Sequence, residues 1–149
     1  PFRFKNKMAT PWKAGDSALA GQALGRLHVA PLDEHNAVLL NNVAPIDWKN
    51  PTPHEMYDLV AIGAGAGGLV STKQSARRGA KSALIEKHLA GGDCLNVGCV
   101  PSKALIRAAR AVKEVRRAGE FGIHIKGAVE VNFGEIMQRM RALRAEIAP

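Results

Sequence analysis

Cys94 and Cys99 are the two cysteines of a 149-residue chain, and four residues separate them. They sit in the stretch Gly91-Gly92-Asp93-Cys94-Leu95-Asn96-Val97-Gly98-Cys99-Val100-Pro101-Ser102-Lys103, entered through a glycine pair and left through a proline suited to a helix start. Two cysteines are too few for a secreted disulfide scaffold, and a close pair of this kind is more often catalytic or metal-binding. A zinc site is the weaker reading, because His28, His35, His54, His88 and His124 show no ligand spacing with the pair. A purely structural disulfide remains the alternative to a redox pair. Residues five apart in a regular α-helix have Cα atoms about 8 to 9 Å apart, beyond disulfide reach. If the pair is oxidised, the chain between Cys94 and Cys99 must therefore leave regular helix, and Gly98 gives the backbone freedom to do so. Lys103 lies in the first turn of the following helix, where a cation and a helix N-terminus both lower thiol pKa values.

The elements that would position this stretch begin at residue 57. Residues 57–62 read as a short buried strand running into Gly63-Ala64-Gly65-Ala66-Gly67-Gly68 and an apolar helix start. The spacing Gly63, Gly65, Gly68 fits a dinucleotide-binding fingerprint. Gly63 allows the tight turn, Gly65 lets a pyrophosphate approach the backbone, and Gly68 lets helix and strand pack closely. A helix to about Arg78, a turn at Gly79 and a second strand over residues 81–86 complete a βαβ length. Glu86 ends that strand 23 residues after Gly63, where an acid can accept ribose hydroxyls.

Two helices are expected after the cysteines. The first spans residues 102–118, with an apolar stripe of Leu105, Ala108, Val112 and Val115 and a basic remainder of Lys103, Arg107, Arg110, Lys113, Arg116 and Arg117. Ile123, Ile125, Val129 and Val131 then alternate with polar neighbours and suggest a small hairpin or edge strands. Asn132 caps the second helix, with Glu135 in capping-box position and Phe133, Ile136, Met137, Met140, Leu143 and Ile147 along one side.

The first section, residues 1–56, differs in composition. Five basic residues and one acid precede Leu32, which gives an organellar, presequence-like character or alternatively a simple arm. Pro45, Pro51 and Pro53 around Trp48 suit an extended docking segment. No run approaches the roughly 18 apolar residues of a membrane span. The net charge is +8, but the cations are dispersed and only two Trp, one Tyr and four Phe are available to interleave with them, which argues against nucleic acid and leaves the charge as a hint about partners.

These residues carry a resemblance. The glycine fingerprint, Ala83-Leu84-Ile85-Glu86-Lys87 and above all residues 91–103 resemble the N-terminal part of the FAD-dependent pyridine nucleotide-disulfide oxidoreductases, in a branch similar to mercuric reductase and dihydrolipoamide dehydrogenase. The resemblance covers about residues 41–149. It implies an α/β fold over residues 57–149, an incomplete Rossmann-type FAD-binding βαβ unit followed by helices; by composition, an extended arm of residues 1–56 precedes it. It implies that Cys94 is the thiol that attacks substrate, Cys99 the thiol against the flavin, and Lys103 a neighbour of the flavin N5 region. Gly63, Gly65, Gly67, Gly68, Glu86, Lys87, Gly92, Asp93 and Lys103 become the expected FAD-binding residues, with no metal ligand among them. Asp93 stands where much of the family has Thr.

The sequence lacks what the rest of such an enzyme supplies. A third parallel strand would lie beyond residue 149, as would the NAD(P)H domain and a dimerisation domain carrying the catalytic base. Two readings follow: the N-terminal portion of a homodimeric flavin disulfide reductase using NAD(P)H, or a non-catalytic subunit of reductase ancestry docked to a larger, membrane-associated assembly. The location is plastid or mitochondrion if the arm is a presequence remnant, and cytoplasm otherwise.

Overall fold

The computed structural model describes residues 29–149, so the presequence-like stretch falls almost wholly outside the described residues. In chain order the elements are α1 (Glu34–Val43), β1 (Leu59–Ile62), α2 (Ala66–Arg77), β2 (Ser82–Ile85), α3 (Gly92–Asn96), α4 (Cys99–Arg116), a 3-10 turn (Ala118–Phe121) and α5 (Phe133–Ile147).

The expected βαβ unit is present. β1 and β2 pair in parallel, in register from Leu59 opposite Ser82 to Ile62 opposite Ile85. Asp58 secures the start of the ladder: its amide donates to the Lys81 carbonyl at 2.9 Å, and its carboxylate accepts the Lys81 amide at 2.7 Å. Gly79, at φ +89°, makes the turn that ends α2, a backbone state costly for other residues. Both strands are shorter than the sequence suggests, because pairing begins only beyond Asp58 and Lys81. Among the described residues the sheet has these two strands, and Ile62 is 87% exposed.

The core lies elsewhere, between α1 and α5. Leu39, Val43 and Ala145 pack together with Leu89, Ala90, Leu95 and Ala148, and Ala37 with Leu40 makes a second cluster against Val29, Leu32 and Leu89. Leu39 and Leu40 are fully buried. Each such burial is worth about 1.5–3 kcal/mol. This corrects the expectation of extended chain before residue 56. Apolar residues at Ala37, Leu40 and Val43 have helical spacing, no proline interrupts them, and Asp33 caps the start by accepting the Asn36 amide at 2.9 Å. Residues 44–58 are irregular, as their prolines require, and most are exposed.

Two further readings differ from expectation. α4 starts at Cys99, three residues before Ser102, with Pro101 inside its first turn, where a missing N–H costs no helical bond. Its stripe is as read: Ala104 is buried and Leu105, Ala108, Val112 and Val115 are half-buried, while the basic residues are exposed. No strand forms over residues 123–131. Alternation alone cannot hold a strand without a partner, and Ile123, Ile125, Val129 and Val131 are exposed. α5 starts as expected, with Asn132 Oδ1 accepting the Glu135 amide at 3.2 Å and Asn132 Nδ2 donating to Glu135 Oε1 at 2.9 Å.

Candidate redox and dinucleotide site

The two cysteines lie on different helices. α3 ends at Asn96, Val97 and Gly98 break the path, and α4 opens at Cys99. The Val97 and Gly98 amides both donate to the Asp93 carbonyl, at 2.9 and 2.5 Å, so the chain doubles back in a tight turn. Gly98 is required there: a Cβ would stand 2.8 Å from the Asp93 carbonyl oxygen. This break brings the two side chains together. The thiols of Cys94, half-buried, and Cys99, exposed, are free and within hydrogen-bonding reach of each other. The departure from regular helix that disulfide formation demands is thus built into the backbone.

The electrostatics differ from expectation at Cys94. Its pKa is pushed up, first by the hydrogen bond with the Cys99 thiol, then by burial and the Cys99 charge; the Cys99 amide and Lys103 pull it back only in part. A close second thiol therefore outweighs the helix terminus and the lysine. Lys103 itself is exposed.

The glycine loop adjoins this turn. Gly63, at φ +103°, donates its amide to the Ile85 carbonyl at 2.7 Å and makes the turn out of β1. A Cβ on Gly68 would meet the Gly63 carbonyl oxygen at 1.9 Å, which is the close packing of helix on strand that the spacing suggested. A Cβ on Gly67 would meet nothing within 4 Å, so the outer face of the α2 N-terminus is open. Gly65 precedes α2 with no side-chain cap, leaving the first-turn amides available to an anion. Two glycine segments touch here. The Gly91 amide donates to the Ala64 carbonyl at 2.8 Å, and a Cβ on Gly92 would stand 2.7 Å from Gly65 Cα.

Glu86 reaches the same loop. Its carboxylate accepts the Ala64 amide at 2.7 Å and the His88 amide at 2.8 Å. Burial works against the ionised form, but the Ala64, His88 and Lys87 amides outweigh it and hold the pKa below the ordinary value. Lys87 and Asp93 are exposed at the rim.

A family profile of the pyridine nucleotide-disulphide oxidoreductases matches residues 57–147, from β1 through α5. The chain belongs to that family. Among relatives, dihydrolipoyl dehydrogenase of Chlamydia trachomatis is 50% identical over 86 residues, 58% of this chain and 18% of its own. The Bacillus subtilis protein of that name is 42% identical over 92 residues, 62% of this chain and 19% of its own. That of Corynebacterium glutamicum is 44% identical over 94 residues, 62% of this chain and 20% of its own. The chain thus spans about a fifth of the length of these relatives. The resemblance is therefore to the dihydrolipoyl dehydrogenase-like members of the family.

Sequence reasoning missed three polar residues behind the cysteine turn: Asn36 in α1, Asn96 in α3 and Arg144 in α5. Asn36 and Asn96 are buried. Asn96 was visible inside the motif, but only its place between two thiols hinted at a role. Among the described residues no group of three or more His, Cys, Asp or Glu could hold a metal ion, and no helix is long and apolar enough to cross a membrane. Two open grooves of about 490 and 320 Å³ run along α4, lined neither by the cysteines nor by the glycine loop.

Proposed function

We propose that this chain is the FAD-binding, cysteine-bearing portion of a flavoprotein disulfide reductase that takes electrons from NAD(P)H and passes them through Cys94 and Cys99 to a disulfide or metal substrate. The observation that carries the reading is the helix break at Val97–Gly98, which puts two free thiols within reach of each other directly beside an open, uncapped glycine loop.

The residues present fit the adenosine diphosphate half of FAD. Gly63 to Gly68, with nothing larger than the methyls of Ala64 and Ala66, form a cradle at the α2 N-terminus, where a pyrophosphate would lie on amides without a side-chain cap. Glu86 stands at the end of β2 to receive ribose hydroxyls, and Gly92, packed on Gly65, keeps the cradle clear of side chains. Gly67, Lys87, Asp93 and Lys103 complete the proposed cofactor set. Bound there, FAD would supply the acceptance of hydride from NAD(P)H that amino-acid side chains cannot.

The chain's own residues do the sulfur chemistry. Cys99 opens α4 and would be the thiol nearer the cofactor, with Lys103 one turn on along the helix. Cys94 would be the thiolate that attacks the substrate; the mixed disulfide is resolved by Cys99, forming Cys94–Cys99 and releasing the reduced product. Homodimerisation, the catalytic base and the nicotinamide site belong in this reading to the remainder of a longer enzyme.

Absorbance spectroscopy tests it. A yellow protein that develops a broad thiolate-to-flavin band on reduction is the expected result, and Cys99→Ser abolishes the band while Cys94→Ser leaves or strengthens it. The reverse assignment of the two variants overturns the thiol roles. A colourless protein whose stability does not respond to added FAD overturns the enzyme reading and leaves a non-catalytic docking subunit.

A further inference from the structure

Behind the cysteine turn, three helices meet on one guanidinium. Arg144 Nη1 donates to the Asn96 carbonyl at 2.6 Å, at the C-terminus of α3. Its Nη2 donates to Asn36 Oδ1 in α1. Asn36 in turn donates through Nδ2 to the Pro31 carbonyl at 2.7 Å. On the other side, Asn96 Nδ2 donates to the Ala90 and Gly92 carbonyls at 3.0 and 2.9 Å. The Ala90 amide donates to the Val43 carbonyl of α1 at 3.0 Å. A continuous polar path therefore runs from α1, through Arg144 and Asn96, to Gly92 against the glycine loop.

We infer that Arg144, braced by Asn36, is a positioning residue for the Cys94–Cys99 pair, and that helix α1, outside the family-matched segment, is a working part of the redox turn. α3 is five residues long and cannot hold its own geometry. Its last carbonyls need donors, and a cation at a helix C-terminus also complements the dipole. Arg144 supplies both. The planar guanidinium reaches two acceptors on separate helices at once, so the end of α3 cannot slide relative to α1 without breaking one bond. The same carbonyl precedes the Val97–Gly98 break, so fixing it fixes where α4 begins and how close Cys99 lies to Cys94. Neither Arg144 nor Asn36 contacts a sulfur among the bonds they make; they act through Asn96.

The inference rests on the proposed dithiol chemistry, and its test needs no flavin. The 149-residue chain is equilibrated with glutathione: the two thiols form Cys94–Cys99, and glutathione disulfide takes up the two electrons and two protons to give two glutathione thiols. A pair held together has a high effective concentration, which favours the disulfide. Arg144→Ala is expected to lower the equilibrium constant about tenfold, which is about 30 mV less negative in potential. Asn36→Ala shifts it in the same direction, and Arg144→Lys, which keeps a donor at Asn96 but loses the second arm to Asn36, recovers only part of the loss. Arg139→Ala, an exposed arginine of the same helix, leaves it unchanged. An unchanged constant in Arg144→Ala, with only the melting temperature lowered, overturns the inference. If that variant does not fold, Asn36→Ala and Arg144→Lys decide, and wild-type constants in both overturn it. FAD titration of the wild-type chain separates the two ideas: no FAD binding with the shift present defeats the flavin reading alone, whereas FAD binding without the shift defeats the clamp alone.

Discussion

The Glu86 carboxylate accepts the Ala64 amide at 2.7 Å, tying the end of β2 to the glycine loop that leaves β1. Its second oxygen holds the His88 amide at 2.8 Å, so one side chain fixes both ends of the βαβ turn region.

Because those amides hold the Glu86 pKa below its ordinary value near 4.5, the folded state binds this proton less readily than the unfolded chain. The stabilisation is therefore present above the ordinary value and is lost as pH falls through the folded one. Glu86→Gln should lose about 1 kcal/mol at neutral pH, reduced by partial exposure, and should show a flatter stability profile below pH 5. Urea midpoints measured across that range check both.

Adjacent glycines should behave oppositely. Gly68→Ala places a methyl against the Gly63 carbonyl and should cost more than about 2 kcal/mol, because backbone must move. Gly67→Ala points into open space and should stay within about 0.5 kcal/mol of the parent. Paired thermal melts settle the contrast.

Asp33 caps α1 and also accepts Arg141 Nε from α5 at 2.5 Å. Burial opposes its ionisation, but the Asn36 amide and Arg141 outweigh it and hold the pKa below the ordinary range. Asp33→Ala should cost about 2 kcal/mol at neutral pH, and the cost should shrink on acidification as the parent loses the same contribution. Asp33→Asn, which keeps the cap but not the charge, should fall between the two.

The rate of Cys94 alkylation by iodoacetamide follows its thiolate, so the profile should rise at a higher pH than for an ordinary thiol. Cys99→Ala removes the largest cause and should move the profile to lower pH; Lys103→Met should move it higher. Mass spectrometry of the labelled Cys94 peptide reads both directions.

The glycine spacing, the cysteine motif and the Asn132 cap were legible because each is local: a turn, a close approach or a cap needs a particular residue at a fixed offset. Leu39 and Val43 were not read as core, since their partner Ala145 lies more than a hundred residues away and three later prolines dominated the composition around Trp48. Ile123 to Val131 misled for the complementary reason, that period-two alternation describes a strand only when another strand accepts it. Arg144 was indistinguishable from the solvated cations of its neighbourhood until α1 was placed across it. Cys94 shows the same limit in electrostatics: Lys103 was visible in sequence, but the thiol-to-thiol contact that outweighs it exists only once Gly98 has folded the chain back.

The packing of α1 on α5 also says where this protein can be cut. A fragment trimmed to the matched span, residues 57–147, would strip the cover from Leu89, Leu95 and Ala145 and leave the guanidinium of Arg144 facing the gap left by Asn36. The smallest dissection that keeps the cysteine turn intact starts no later than Pro31, whose carbonyl anchors Asn36.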